Sequence, residues 1–357
     1  MGRPADIKID LSAIRHNYRQ LKRLHNGPMM AVIKADAYGH GAIECARALS
    51  LGEVDAFAVA YVEEAQALRN AGVREPILIL EGAFDVDQVL TAQALDLWLV
   101  VHQQSQIEML VSALPASAGM SLWVKIDTGM NRLGFSPADA SLISSTLRRN
   151  GLAAEVNWIS HLSHADQMDN EFTLRQYLNF EAATAGLSGA RSLAASAGML
   201  SAPYTRMDWC RPGISLYGVA PVAGEKISLR PAMTFSSRIF ATRTVHEGET
   251  VGYGGVWRAN RECRIGIVAA GYGDGYPRLA TINTPILAEG CSVKVAGRVS
   301  MDTFAIDITD FPSLGVESEV ELWGTDVKVE DVAKSVERIP YELLTGIKRV
   351  PVRHIGR

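Results

Sequence analysis

Short apolar runs alternate with amphipathic stretches over the first 225 or so residues. The runs cover residues 28–33, 56–60, 76–80, 96–101, 121–126, 155–160, 191–194 and 213–217. Each has the length and unbroken apolar character of a strand buried on both faces. Between them lie helix-like stretches at 42–51, 62–71, 103–114, 137–150 and 171–185, with Gly72, Gly151 and Gly186 placed as left-handed C-caps. Eight β-α units at this spacing predict an α/β fold, a closed (β/α)8 TIM-like barrel, usually about 200 to 250 residues long. An open doubly wound sheet fits the same periodicity and stands as the alternative.

Near Glu225 the texture changes. Alternating, β-branched runs follow at 233–245, 263–269, 292–298, 303–308 and 319–323, separated by turns such as His246-Glu247-Gly248-Glu249 and Ala288-Glu289-Gly290. That is the pattern of an antiparallel β domain. Helix-like pieces at 329–337 and 341–347 and a strand-like 349–355 complete the chain. The expected division is a barrel over residues 1–227 and a smaller β domain over 228–357.

Composition narrows the functional classes. The chain has 357 residues, with 35 Lys+Arg against 39 Asp+Glu, for a net charge of −4. It lacks the basic excess that nucleic-acid binding requires. No apolar run approaches the roughly 18 to 20 residues that cross a bilayer. The opening Met1-Gly2-Arg3-Pro4-Ala5-Asp6 has no apolar core of a secretory signal. Cys45, Cys210, Cys263 and Cys291 lie far apart, without a Cys-x-x-Cys pair, and fit a reducing compartment, the cytoplasm.

Several segments carry candidate chemistry. Lys34 closes the run Met29-Met30-Ala31-Val32-Ile33-Lys34, at the C-terminal end of the first barrel strand, where barrel enzymes place their sites. An ammonium pressed among apolar groups loses hydration, which favours the neutral amine, a nucleophile able to form a Schiff base. The plainer alternative is a lysine snorkelling out of a strand end. Lys125 and Arg132, in Lys125-Ile126-Asp127-Thr128-Gly129-Met130-Asn131-Arg132, follow the fifth strand; they read either as a surface pair or as a fork for a carboxylate. His161, His164 and Asp166 follow the sixth, and by residue type could form a zinc site, although no further ligand lies nearby. Arg211-Pro212-Gly213-Ile214 reads as a strand start with exposed N–H groups suited to phosphate, or as an ordinary turn. Tyr253, in Val251-Gly252-Tyr253-Gly254-Gly255, is either part of a hairpin turn or a phenol free to approach a ligand.

The segment Ala31-Val32-Ile33-Lys34-Ala35-Asp36-Ala37-Tyr38-Gly39-His40-Gly41 closely resembles the cofactor-binding segment of alanine racemases. The resemblance runs from Ile7 to Arg353 and includes the barrel-plus-β layout. It implies that Lys34 holds pyridoxal 5'-phosphate as a Schiff base, with Tyr38, Ser196, Gly213, Ile214 and Tyr341 on the phosphate. Arg211 would face the ring nitrogen. Arg132 and the Met301 backbone would take the substrate carboxylate, with Lys125 carbamylated to brace Arg132. His161 would relay between Arg211 and Tyr253. Racemisation needs a base on each face of one α carbon, and the resemblance assigns these to Lys34 and Tyr253. Tyr272 would line the site, and Asp166, Arg278 and Arg298 its entrance. No metal is implied.

The family's head-to-tail homodimers would bring Tyr253 and Met301 to the partner's cofactor. The implied activity interconverts L- and D-alanine, supplying cell-wall precursors or serving alanine catabolism. A broader racemase acting on serine is the nearest rival; amino-acid decarboxylases and a non-enzymatic cofactor carrier fit the paired motifs less well. Three positions depart from the family pattern: Ala195 stands where asparagine is common, Gly252 where serine often appears, and Gly273 where alanine is usual. The expected consequences are an enlarged pocket or looser phosphate binding.

Overall fold

A computed structural model describes residues 3–51, 54–113, 120–153, 156–222, 224 and 227–356. Glu155, Leu114 and Glu225, which bound a predicted strand, a predicted helix and the change of texture, lie outside the described residues. The chain forms two compact units.

The chain opens with β1 (Asp6–Asp10) and the helix Leu11–His25, both overlooked by the sequence reading. Eight strands follow: β2 (Met30–Val32), β3 (Ala56–Val59), β4 (Ile77–Ile79), β5 (Trp98–Val101), β6 (Leu122–Lys125), β7 (Val156–Ile159), β8 (Arg191–Ala195) and β9 (Trp209–Arg211). Each pairs in parallel with the next. A parallel bridge of Met29 to Cys210, and the bond from Val32 N–H to the Pro212 carbonyl at 2.9 Å, join the first strand to the last. The sheet is therefore a closed barrel, not an open one. At the amino ends of the strands, Trp98 meets Trp209 edge-on at 5.7 Å from four strands away, and Trp123 packs against both. Such indoles fill the bore, leaving a packed core rather than a pore. Gly72, Gly151 and Gly186 adopt φ of 94°, 68° and 71°, as C-caps do.

One strand was misplaced by pattern. The run 213–217 is a 3-10 turn (Ile214–Tyr217), and the last barrel strand lies upstream at Trp209–Arg211. Arg211 ends that strand instead of starting one. Pro212, lacking an N–H, and the left-handed Gly218 (φ 93°) bracket the turn and keep its apolar residues out of the ladder.

The second unit comprises β10 (Met233–Val245), β11 (Thr250–Val251), β12 (Trp257–Arg258), β13 (Cys263–Val268), β14 (Leu287–Ala288), β15 (Cys291–Ser292), β16 (Lys294–Val295), β17 (Phe304–Asp307), β18 (Glu319–Trp323) and β19 (Val352–Ile355). Its main sheet runs β15-β14-β18-β10-β13-β17-β16, all antiparallel. β1 pairs antiparallel with β10 and parallel with β19. The residues up to Ala13 therefore group with this unit, as do Tyr38–His40, although the sequence reading set everything before residue 228 in the barrel. The predicted strand 292–298 is broken into β15 and β16 around Val293. Tyr276 stacks on Phe304 at 5.0 Å, and Phe235 meets Trp323 edge-on at 4.9 Å, forming the aromatic centre of the core.

Candidate active site

The carboxyl ends of the barrel strands carry the charged groups. Lys34, partly buried, follows β2 and enters an unusual turn. Ala35, Asp36, Ala37 and Tyr38 all have φ between 51° and 54°, so this helical turn is left-handed. In L-residues that conformation presses Cβ against the carbonyl and costs about 1–2 kcal/mol per residue. The turn closes by a bond from Ala37 N–H to the Ile33 carbonyl at 2.9 Å, and Asp36 Oδ1 accepts the N–H of Ala42 at 2.7 Å, starting the next helix. The sequence reading did not foresee this turn. Tyr217 Oη donates to the Val32 carbonyl at 2.9 Å, fixing the strand end just before it.

Lys125 ends β6, and the chain returns over it. Phe135 N–H bonds the Lys125 carbonyl at 2.8 Å, while Asp127 Oδ1 accepts the N–H groups of Gly129 and Asn131. The loop so closed presents Arg132 beside a crevice lined by Lys125, Asp127, Ser160 and His161. Burial pushes Lys125 down from 10.5 to about 8; Arg132, Arg211 and Lys34 act the same way, and Glu81 opposes them. His161 is held down to about 3 by burial first and then by Arg211, Lys125, Arg132 and Lys34. At neutral pH it is an uncharged imidazole. Fully buried Gln176 donates to Thr128 Oγ1 and the His161 carbonyl and accepts from Ser163 N–H. His164 turns aside, its ring 4.7 Å from Phe172 and its Nδ1 bonded to Ser163 Oγ; Asp166 is exposed beyond it.

Arg211 is buried with no carboxylate among its bonded partners. Its Nη1 donates to Ser192 Oγ at 2.6 Å, and its Nη2 to the carbonyls of Ser160 at 2.6 Å and Leu193 at 3.3 Å. Burial lowers it to about 10, so it stays a cation at neutral pH. Beside it, buried Ser196 Oγ accepts the N–H groups of Gly213 at 2.9 Å and Ser215 at 3.3 Å, and Ile214 opens the 3-10 turn between them. The barrel face thus brings together Lys34, Lys125, Arg132, His161 and Arg211. It also adds groups that pattern reading missed, Glu81, Gln176 and Ser192. Their only sequence signal is position in or after a strand or within a helix, which many residues share.

In the second unit, Tyr38 lies 5.8 Å from Tyr341, ring to ring, and burial pushes its phenol well above the ordinary value. Tyr253 sits in the β11–β12 turn between Gly252 and Gly254, each at φ 74°, and is 71% exposed. A Cβ on Gly254 would come within 2.9 Å of Arg298 Nη1, so Arg298 packs beside this turn. Tyr272 and Met301 are also exposed, at 40% and 50%, as is Arg278. Their loops are laced together: Tyr272 N–H bonds the Ser300 carbonyl at 3.0 Å and Gly273 N–H the Met301 carbonyl at 2.9 Å.

Residues 9–221 match the alanine racemase N-terminal domain and residues 232–355 its C-terminal domain. The chain belongs to the alanine racemase family. It is 45% identical to the alanine racemase of Azoarcus sp. (strain BH72), over 99% of this chain and 100% of that one. It is 46% identical to the catabolic alanine racemase of Pseudomonas aeruginosa, over 99% of both. The crystal structure of the biosynthetic alanine racemase of Pseudomonas aeruginosa superposes with a TM-score of 0.95 at 42% identity, covering 99% of this chain and 100% of that one. The expected family and fold, a TIM-type barrel followed by an antiparallel β domain, are those found. Catabolic and biosynthetic members both stand among its relatives, at 46% and 42% identity.

Proposed function

We propose that the chain interconverts L- and D-alanine by a two-base mechanism with Lys34 and Tyr253 on opposite faces of the α carbon. The observation that carries this reading is the charge at the barrel mouth. The perturbations of Lys125 and His161 tie Lys34, Lys125, Arg132 and Arg211 into one field, in which Glu81 is the one named anion. Lys34, Arg132 and Arg211, whatever the state of Lys125, suit an anionic guest, and the donor set fits pyridoxal phosphate together with an amino-acid carboxylate. Among the described residues, no cluster of His, Cys, Asp or Glu suited to a metal accompanies them.

Lys34 would hold the cofactor, with Ser196, Gly213, Ile214, Tyr38 and Tyr341 on its phosphate. When bound, the cofactor supplies an electron sink that eases loss of the substrate's α-proton. Arg211, a cation at neutral pH, would face the ring nitrogen and would give up no proton there. Arg132 and the Met301 N–H orient the substrate carboxylate, and a carbamylated Lys125 braces Arg132. The Lys34 amine removes or returns the proton at Nζ on the D side; Tyr253 Oη does so on the L side. Neutral His161 could accept a hydrogen bond from Arg211 at one nitrogen and donate the N–H of the other toward the tyrosine. Tyr272 walls the site, with Asp166, Arg278 and Arg298 at the entrance.

Two chains form a head-to-tail homodimer, in which the exposed Tyr253, Tyr272 and Met301 of one serve the other. Tyr272 and Met301 are exposed on loops bonded to each other, an arrangement that a covering partner would suit. No described helix is long and apolar enough to cross a membrane, and all four cysteines are free, which fits work in the cytoplasm. D-alanine for the cell wall or alanine catabolism are the roles open to it. Borohydride reduction of the cofactor-loaded protein should label the peptide bearing Lys34. Incubation of either alanine enantiomer in heavy water should give α-deuterium together with loss of optical rotation. Label on another lysine, or serine turnover at or above the alanine rate, would overturn the assignment or the specificity respectively.

A further inference from the structure

Four successive non-glycine residues in the left-handed region, Ala35 to Tyr38, stand directly behind Lys34. A run of this kind persists only where its surroundings hold it. Beside the bonds of Ala37 and Asp36 already described, the group that holds the first residue of the run is Glu64, at the third position of the helix Val62–Asn70. Its Oε1 accepts the N–H of Ala35 at 2.7 Å, and its Oε2 accepts those of Ala60 at 2.7 Å and Tyr61 at 3.1 Å. One carboxylate therefore ties the residue after Lys34 to the end of the neighbouring strand β3. The bonds are charge-assisted, and stronger than neutral ones of the same length. The ordinary duty of an acid at this helix position is to cap its own helix, which the Tyr61 bond performs. The reach to Ala35, 29 residues away in sequence, goes beyond capping.

We propose that Glu64 is a positioning residue for the reaction. By fixing the Ala35 N–H it keeps the backbone left-handed and so sets the direction in which Lys34 leaves its strand. This rests on the reading of Lys34 as the cofactor lysine. If the Ala35 bond is lost, the steric pressure on Cβ is free to turn the peptide toward ordinary conformations and swing the lysine away. Glycine at position 35 carries no such pressure and can stay left-handed unaided.

The test titrates the purified chain with pyridoxal phosphate, reduces it with borohydride and quantifies the labelled peptides. Glu64→Gln keeps the volume but replaces one acceptor oxygen by a donor, which then faces an N–H; it should raise the concentration needed for half-loading about tenfold. Ala35→Gly in that background should bring loading back to within about threefold of the natural chain, and Ala35→Gly alone should stay within the same range. A purely structural Glu64 would lower thermal stability, and glycine at 35 would not restore loading. If Glu64→Gln is insoluble but the double variant folds and loads, the proposal also stands. Natural loading by Glu64→Gln, or a double variant no better than the single one, overturns it. Label on a lysine other than Lys34 in the natural chain overturns the site reading itself, an outcome distinct from either.

Discussion

The Arg349 guanidinium occupies the space that a side chain at Gly273 would need. A Cβ built on Gly273 comes within 2.2 Å of Arg349 Nη2 and 3.0 Å of the Met301 carbonyl. Arg349 Nε donates to the Gly273 carbonyl at 2.9 Å, and its Nη2 bridges Asp274 Oδ1 at 3.2 Å and Asp302 Oδ1 at 2.8 Å. Buried Asp274 also pairs with Arg3 and accepts the Gly271 N–H at 2.9 Å. The glycine that stands where the family usually has alanine therefore leaves no void. It seats a cation that ties the Tyr272 loop to the Met301 loop. Gly273→Ala should displace Arg349, raising KM for alanine about two- to fivefold with kcat within about twofold, and Arg349→Ala should remove the larger part of the added methyl's effect, leaving that of its close approach to the Met301 carbonyl. Steady-state kinetics on the single and double variants measure this, and additive effects would refute the link.

Replacing the Tyr253 phenol separates the two proposed bases. Tyr253→Phe removes one oxygen from an exposed turn, so stability and cofactor loading should be unchanged. Racemisation from L-alanine should fall by about 10²- to 10⁴-fold, the usual worth of a positioned acid or base. In heavy water, deuterium should still enter D-alanine through Lys34 while L-alanine stays unlabelled. Equal labelling of both enantiomers would disprove the division of labour.

Burial holds Lys125 down to about 8, which favours the neutral amine that the proposed carbamylation needs. At pH 7 about one in ten such amines is neutral, against about one in several thousand for an ordinary lysine, and only the neutral amine adds carbon dioxide. With 13C-bicarbonate, a carbamate signal should grow between pH 7 and 9 and vanish in Lys125→Arg. The same variant should weaken alanine binding, because a second cation beside Arg132 repels where a carbamate would brace. A signal surviving the substitution would assign the adduct elsewhere.

The barrel was legible because strands buried on both faces leave unbroken apolar runs, as in Ala56–Val59 and Ile77–Ile79. The last strand was not, because its three residues end in Arg211, whose buried charge reads as a loop, while the apolar Ile214–Tyr217 imitates a strand. β1 was missed because Asp6-Ile7-Lys8-Ile9-Asp10 is short and alternating, and its partners lie more than two hundred residues away. For the candidate site, Lys34, Arg132 and Tyr253 stand out through the resemblance of their motifs to the family, since by residue type alone each also reads as a strand end, a surface pair or a turn. Glu64, Gln176 and Arg349 do not, since each acts through bonds to segments distant in sequence, and no periodicity records such a bond.

The pH dependence of folding should carry the signature of His161. Its ordinary value is 6.5 and the folded chain holds it near 3, with burial the largest cause. Between these values the unfolded chain binds a proton that the folded chain refuses, so acidification through this window favours unfolding. The contribution is fully relieved above pH 6.5 and grows as the pH falls toward 3. Carboxylates titrate over part of the same range, so the informative quantity is a difference between two proteins. His161→Gln keeps a polar side chain that cannot take the proton. Urea midpoints measured from pH 7 to pH 4.5 should fall more steeply for the natural chain than for the variant, and the gap should widen with acidity. Parallel curves would mean that the imidazole charges as readily in the folded protein as in the unfolded one, and that the surrounding cations do not reach it.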